Sequence, residues 1–272
     1  MHNGVNYTRK AYEPKKPALV SWTTGTNDEI TAMVNAYYDG ILSLDEIKSV
    51  WHLGDTRSVD LSAMAATGVG ESHRAQTVEF EILGFDHDTL TTPVGSITKA
   101  LITVDLKDCL IASGNPYGSS NTEHGYINSS NTNRGGWTSC ARRTWCNNVF
   151  YNALPPYFES LVKPVDKLTS AGNESFTINT DSDYCFILSE IEVFGTASKS
   201  VNGEGSQYAW FANATANRYK LPKWNSSSVS DIWWERSPRG GDSTAFCAVG
   251  TDGGAGYNGA FSARGLAPAC CI

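Results

Sequence analysis

The sequence predicts an α+β chain whose core is carried mainly by antiparallel strands. Two capping-box signatures open short apolar-periodic stretches near the N-terminus, and period-two alternation takes over after residue 56. The strand-like stretches then follow one another too closely for the crossover helices that a parallel sheet needs. A chain of 272 residues, 40% hydrophobic with 8 Trp, suits one large domain with a small N-terminal appendage. We place a flexible leader at 1–20, a small helical segment at 21–50 and the main domain at 51–272.

The leader carries Lys10, Pro14, Lys15, Lys16 and Pro17 with little apolar content, so no fold is expected there. Thr26 with Glu29 caps a helix whose Ile30, Met33, Val34 and Tyr37 recur at helical spacing until Gly40. Ser43 with Glu46 repeats the device over a shorter helix with Leu44, Ile47 and Val50 inward. This hairpin would expose Tyr37, Tyr38, Leu42 and Leu44 if it stood alone, so it should pack on the main domain or on a second copy of the chain.

Alternation from Arg57, with Val59, Leu61 and Ala63 on one side, predicts a half-exposed strand. Thr77 to Phe85 and Thr98 to Leu106 predict two more. Residues 115–136 form a loop by their Gly, Ser, Asn and Pro content. Trp137, Ala141, Trp145 and Val149 then predict a helix over 137–154, which Pro155 and Pro156 end, with a second short helix over 157–162. Phe176 to Ile178, Cys185 to Leu188 and Ile191 to Phe194 read as strands, and 201–225 as loop.

Composition and spacing exclude several function classes. A net charge of −7 without clustered Lys and Arg argues against a nucleic-acid partner. No apolar run of about eighteen residues exists and the N-terminal stretch has no signal-peptide core, so neither membrane insertion nor a signal peptide is expected. The seven cysteines (Cys109, Cys140, Cys146, Cys185, Cys247, Cys270, Cys271) lack a disulfide framework and are expected as free buried thiols. None of the five histidines stands three or four residues from another histidine or a cysteine, so no metal site and no cofactor is expected. Asp86, His87 and Asp88 read as a solvated turn after a strand, and Asp181 with Asp183 as another turn. Arg142 and Arg143 point about 100° apart on their helix, so one should pair with a core acid such as Glu190 or Glu192 and the other be solvated. No G-x-S-x-G elbow is present, and no catalytic residue is expected.

The last forty residues differ from the rest. Trp233 and Trp234 read as the end of a buried strand, because two indoles are costly to leave in water. From Arg239 to Ala263 the chain is mostly Gly, Ala, Ser, Thr, Asp and Asn, a composition suited to display rather than to a core. No Lys, Glu, Gln, Trp or Met occurs from Ser237 onward. Those five types are the ones that no NNC codon encodes, and NNC is what randomising both adenines of an AAC codon produces.

WWERSP, the small-residue run, RGLAP and the terminal CCI resemble the C-terminal part of a domain of uncharacterised function in gut-bacterial surface proteins and prophage tail proteins. The stretches 128–155 (NSSNTNRGGWTSCARRTWCNNVFYNALP) and 187–195 (ILSEIEVFG) resemble the same family. Some members resemble the variable proteins of diversity-generating retroelements, which display a hypervariable segment on a C-type-lectin-like domain. The resemblance implies a receptor-binding or adhesin domain of that fold on a phage tail or bacterial surface, with a host cell-surface protein or glycan as partner. It implies a variable ligand-binding surface of Arg239, Gly240, Asp242, Ala245, Ala248, Gly250, Asp252, Gly256, Tyr257, Gly259, Phe261 and Ala263. Trp233, Trp234, Arg236, Ser237, Pro238, Arg264 and Pro268 would be its scaffold. The EPN, QPD and WND motifs of calcium-dependent sugar binders are missing. The alternatives are a structural module of a tail or envelope without its own ligand and, third, an oxidase like the formylglycine-generating enzyme, with Cys247 and Cys270 or Cys271 as its cysteine pair.

Overall fold

The computed structural model describes residues 15–69, 72–111, 125–221 and 232–272. Helix and antiparallel sheet alternate along it, as an α+β chain requires. Two capped helices, α1 (Asn27–Tyr38) and α2 (Leu44–Lys48), come first, and both capping boxes are closed in both directions. The strands β1 (Thr56–Leu61), β2 (Gln76–Phe85), β3 (Thr89–Val94), β4 (Ile97–Lys99) and β5 (Ile102–Leu106) follow. Next come α3 (Ala141–Trp145), α4 (Pro156–Glu159), β6 (Val165–Ser170), β7 (Ile178–Asp183), β8 (Cys185–Phe186), α5 (Glu190–Phe194) and α6 (Ala209–Asn213). The chain ends with β9 (Trp233–Pro238), β10 (Ala245–Val249), β11 (Ala255–Gly259) and β12 (Ala269–Cys271).

The strands make a central five-stranded sheet ordered β1-β2-β5-β12-β8, a four-stranded sheet β4-β3-β6-β7 and a three-stranded sheet β11-β10-β9. C-terminal β12 lies inside the central sheet, pairing Cys270 with Val104 on one side and with Cys185 on the other. The last residues of the chain therefore close the core. Alternation predicted β1 and β2 well, since Val59, Leu61, Val78, Phe80 and Ile82 are all buried.

The N-terminal hairpin belongs to the same hydrophobic core as the sheets, through Trp22, Ile30, Met33, Val34, Ile47 and Trp51. Arg57 of β1 donates to the carbonyls of Trp22 at 2.9 Å and Gly25 at 2.8 Å, while Leu101 N donates to the Tyr38 hydroxyl at 3.2 Å. Tyr37 and Leu42 are thereby buried. The leader's residues 1–14 lie outside the described residues.

Several elements differ from the sequence reading. The helix expected over 137–154 starts only after Cys140 and passes into a π-helical turn at Cys146–Phe150 and a 3-10 turn at Tyr151–Ala153. Trp137 precedes it, its indole donating to Asp183 Oδ2 at 2.7 Å. Ile191–Phe194 is helix rather than strand, because Ser189 and Glu192 form a third capping box and Gly195 closes the helix at φ 77°. Three apolar residues between caps are too few for periodicity to separate the two states. The single strand expected over 98–106 is broken at Ala100 and Leu101 into β4 and β5. The short helix is Pro156–Glu159, residues 209–213 and 215–218 are helical within the expected loop, and Phe176 lies outside β7, highly exposed. Residues 115–124 of the expected loop lie outside the described residues.

Candidate functional site

β9 is buried along its whole length, and Trp233, Trp234 and Arg236 on it are each held by a polar anchor. The Trp233 indole donates to Arg218 O at 3.0 Å and that of Trp234 to Gly125 O at 2.9 Å. Such bonds let an indole be buried without an orphaned N–H. Arg236 is fully buried and forks onto Glu192, NH1 to Oε2 at 2.5 Å and NH2 to Oε1 at 2.8 Å, while its Nε donates to Thr169 Oγ1 at 3.0 Å. Burial works against its charge, but Glu192 outweighs that and holds the guanidinium above its ordinary range. Ser237 and Pro238 are buried, Pro268 is buried and Arg264 half-buried, so the residues expected as scaffold lie inside or at the edge of the core.

β10 pairs with both β9 and β11, with a bulge opposite β9 between Phe246 and Ala248. All five of its residues are buried. Ala245 and Ala248, expected on the variable surface, are therefore core residues, and Ala263, beyond β11, is buried as well. Successive residues of a strand point to opposite faces, so burial of all five means that both faces of β10 are covered. Small size was read as display when it reflected close packing.

The remaining expected surface residues divide between two ends of the sheet. At one end, Asp242 Oδ1 accepts from Thr244 N at 2.6 Å and Ala245 N at 3.2 Å, fixing the turn before β10, and Arg239 NH1 reaches Asp242 Oδ2 at 3.0 Å. The turn amides, chiefly that of Thr244, hold the Asp242 carboxyl below its ordinary range. The Arg239 guanidinium lies over the Tyr257 ring, 3.6 Å from its centroid. Arg239, Gly240, Asp242, Tyr257 and Gly259 thus share one region of half-buried or exposed surface, while Gly256, paired with Ala248, lies toward the other end. Gly250 and Asp252 lie at the opposite end, in the β10–β11 turn.

Tyr257 and Phe261 are 43% and 51% exposed, among the few large apolar side chains on the surface. Phe261 stacks on Tyr126 at 4.3 Å and 15°. Tyr126 and Asn133, whose Nδ2 donates to Asp242 O and Ala245 O at 2.8 Å each, sit in an irregular loop with no period to mark them, although Asn133 falls within the 128–155 stretch that carries the family resemblance. They support the sheet from outside the C-terminal segment.

A second cluster lies elsewhere. Asp88, placed by sequence in a solvated turn, is buried, and its carboxylate takes Lys167 Nζ at 2.5 Å, the Tyr208 hydroxyl at 2.8 Å and the Thr103 hydroxyl. Lys167 also reaches Glu192 Oε1 at 2.6 Å. Beside it, His87, Thr89, Asp166, Gly203 and Ser206 line a polar cavity of about 310 Å³. Burial opposes each charge, yet the partners prevail: Lys167 is held above its range, Asp88 and Glu192 below theirs. Groups shifted away from neutrality in this way are poor proton-transfer partners, and the network reads as an ionic core.

The arginine pair is also resolved differently. Arg143 pairs with Asp183 at 2.7 Å and Asp181 at 3.5 Å, both on strand β7 rather than in a turn. Arg142 is buried, donating to the carbonyls of Tyr126 and Val69, and Trp145 lies 4.8 Å from it. Glu190 instead accepts from the amides of Lys199 and Ser200, and Glu192 from Arg236.

All seven cysteines are buried, and no disulfide joins them. Among the described residues no group of three or more His, Cys, Asp or Glu is arranged to hold a metal ion, and no helix is long and apolar enough to cross a membrane. No curated protein and no solved structure matches the chain. The family model described as Domain of unknown function (DUF6273) matches residues 101–272, from β5 through β12 and thus across the whole candidate site, and the chain belongs to that family.

Proposed function

We propose that this chain is a binding protein, a phage tail-tip receptor-binding protein or bacterial surface adhesin, with a C-type-lectin-like domain whose C-terminal sheet presents Tyr257, Arg239 and Phe261 to a host-surface protein or glycan. The observation that carries the reading is a contrast within one sheet. β9 and β10 are wholly buried and anchored, whereas β11 and its flanking turns are half-exposed, small-residue backbone carrying exposed aromatics. Large amphipathic rings on a rigid support are what binding surfaces use to gain area at low entropic cost. The absence of Lys, Glu, Gln, Trp and Met from residue 237 onward supports membership among retroelement-diversified variable proteins.

Binding of the labelled chain to a panel of intact bacterial cells and immobilised glycans tests this. Tyr257→Ala and Phe261→Ala should each weaken binding at least about tenfold, the cost of a modest hot spot. Unchanged binding by both variants would move the surface elsewhere.

A further inference from the structure

Behind the presenting sheet lies a set of acids that the fold does not satisfy. Glu235 of β9 is fully buried, and neither of its carboxyl oxygens has a hydrogen-bond partner. Glu204 Oε2 and Ser200 Oγ are likewise buried and unpartnered. Glu235 is faced by Glu190 and Glu192 of α5, by Glu204 and by its neighbour Arg236, and Cys247 of β10 lies against the same acids with Arg239 beyond it. Arg236 is already committed to Glu192. The nest therefore holds more carboxyl groups than cations, a costly arrangement if all were charged.

Residues 199–206 lie over this nest and are fastened at both ends. Gly240 N donates to Lys199 O at 2.7 Å, Lys199 N and Ser200 N donate to the Glu190 carboxylate, and the Ser189 hydroxyl donates to Glu204 O at 2.7 Å. Glu204 itself plugs inward, its Oε1 accepting from Ser170 N at 2.7 Å. At the far end the Ser206 carbonyl sits 3.1 Å from His87 Nε2. Gly203 and Gly205 hold φ of 103° and 104°, backbone that other residues rarely adopt and a natural place for bending. The cover touches the presenting surface directly through Gly240.

We propose that residues 199–206 are a proton-operated strap, closed over the back of the presenting sheet while Glu204 and Glu235 are protonated and released when they ionise. This is a regulation of the proposed binding surface and takes its functional meaning from that reading. Burial, with Glu190 and Glu204 as neighbouring charges, raises the Glu235 carboxyl well above its ordinary range; burial pushes Glu204 up to about 7. Near neutrality, then, loss of one proton places a charge beside Glu190 under the strap. Water entering through the Gly203–Gly205 hinge is the cheapest way to solvate it.

Hydrogen exchange on the full chain without ligand, corrected for intrinsic rates, tests the strap. Between about pH 6 and about pH 8.5 the amides of Lys199 and Ser200 should lose at least about tenfold in protection, and those of β2 less than about twofold, since each unit beyond a pKa is a tenfold change. Glu204→Gln with Glu235→Gln should reduce the change at the strap to less than about twofold. Glu204→Gln alone decides the matter if the double variant does not fold. An unchanged native strap, or an equal pH response in the variants, overturns the proposal. Because no ligand is present, such a failure is separate from failure of the binding surface, which Tyr257→Ala and Phe261→Ala report.

Discussion

Arg239 lies flat over Tyr257, its guanidinium carbon 3.6 Å from the ring centroid, and joins the end of β9 to the exposed edge strand β11 across buried β10. The pair tethers an edge strand that is otherwise held by its backbone bonds to β10 and by Arg264, whose Nη2 donates to Asn258 Oδ1 at 2.6 Å. Both members are partly solvated, so the contact orients more than it stabilises. Arg239→Ala should cost about 0.5–1 kcal/mol, the range for exposed cation–π pairs, seen as a melting shift of a few degrees. Binding should fall further than stability, because the ring loses its fixed orientation. Equal losses in both measurements would make the pair structural.

A harsher contrast runs through adjacent residues of the same segment. Tyr257→Asn and Phe261→Asn should alter stability by no more than about 1 kcal/mol, near the surface range. Ala248→Asn, at a fully buried position, should cost at least about 2 kcal/mol through overpacking and a buried amide without partners. Trp234→Ala should cost about 3–5 kcal/mol. Thermal denaturation of the four variants checks the boundary between core and surface drawn by the structure.

The thiols give a prediction independent of any ligand. Burial raises Cys140 to about 11 and lifts Cys247 and Cys271 well above the ordinary range, leaving almost no thiolate near neutrality. The native chain should therefore be nearly inert to iodoacetamide at about pH 7.5, whereas all seven cysteines should react in denaturant. Rapid labelling of Cys247 in the native state would show that the inner face of the presenting sheet opens readily.

The legible parts of the sequence were those where one period or one cap dominates. Thr26 with Glu29 and Ser43 with Glu46 announced their helices, and Val78, Phe80 and Ile82 announced β2, because burial on one face leaves a period in the chain. Ile191 and Val193 misled, since a five-residue helix buried nearly all round has no polar stripe to reveal it. Asp88 misled for another reason: its partners Lys167 and Tyr208 come from distant parts of the chain, and local polarity cannot distinguish solvent from a buried cation. In the C-terminal segment the burial of the tryptophans was legible, whereas β9 runs on through Arg236 to Pro238 where the sequence suggested the strand's end. The burial of Ala245 and Ala248 was not legible, because an alanine carries too little surface to mark its own face.

Two groups of carboxyls with opposite shifts fix how stability depends on pH. Asp88 and Glu192 are held below their ordinary range chiefly by Lys167 and Arg236, which overcome burial. They bind protons less tightly in the fold than in the unfolded chain, so their contribution is present above about pH 4.5 and is lost as pH falls through the folded values. Glu204 and Asp105 are shifted the other way, each to about 7 by burial, so their contributions are complete below about pH 4 and are lost as pH rises toward 7. The melting temperature should peak on the acid side of neutrality, between these two losses. Glu204→Gln, neutral at every pH, should make the fall between about pH 4.5 and 7 shallower, with Asp105 accounting for part of the remainder, while leaving the acid limb unchanged. Glu192→Gln should lower stability by about 3–5 kcal/mol near neutrality, because it leaves Arg236 and Lys167 short of a charge, and should flatten the acid limb instead. Scanning calorimetry from about pH 3 to 8 on the three proteins separates the two effects, and a melting temperature that climbs steadily to pH 8 in the native chain would show that Glu204 is ionised throughout.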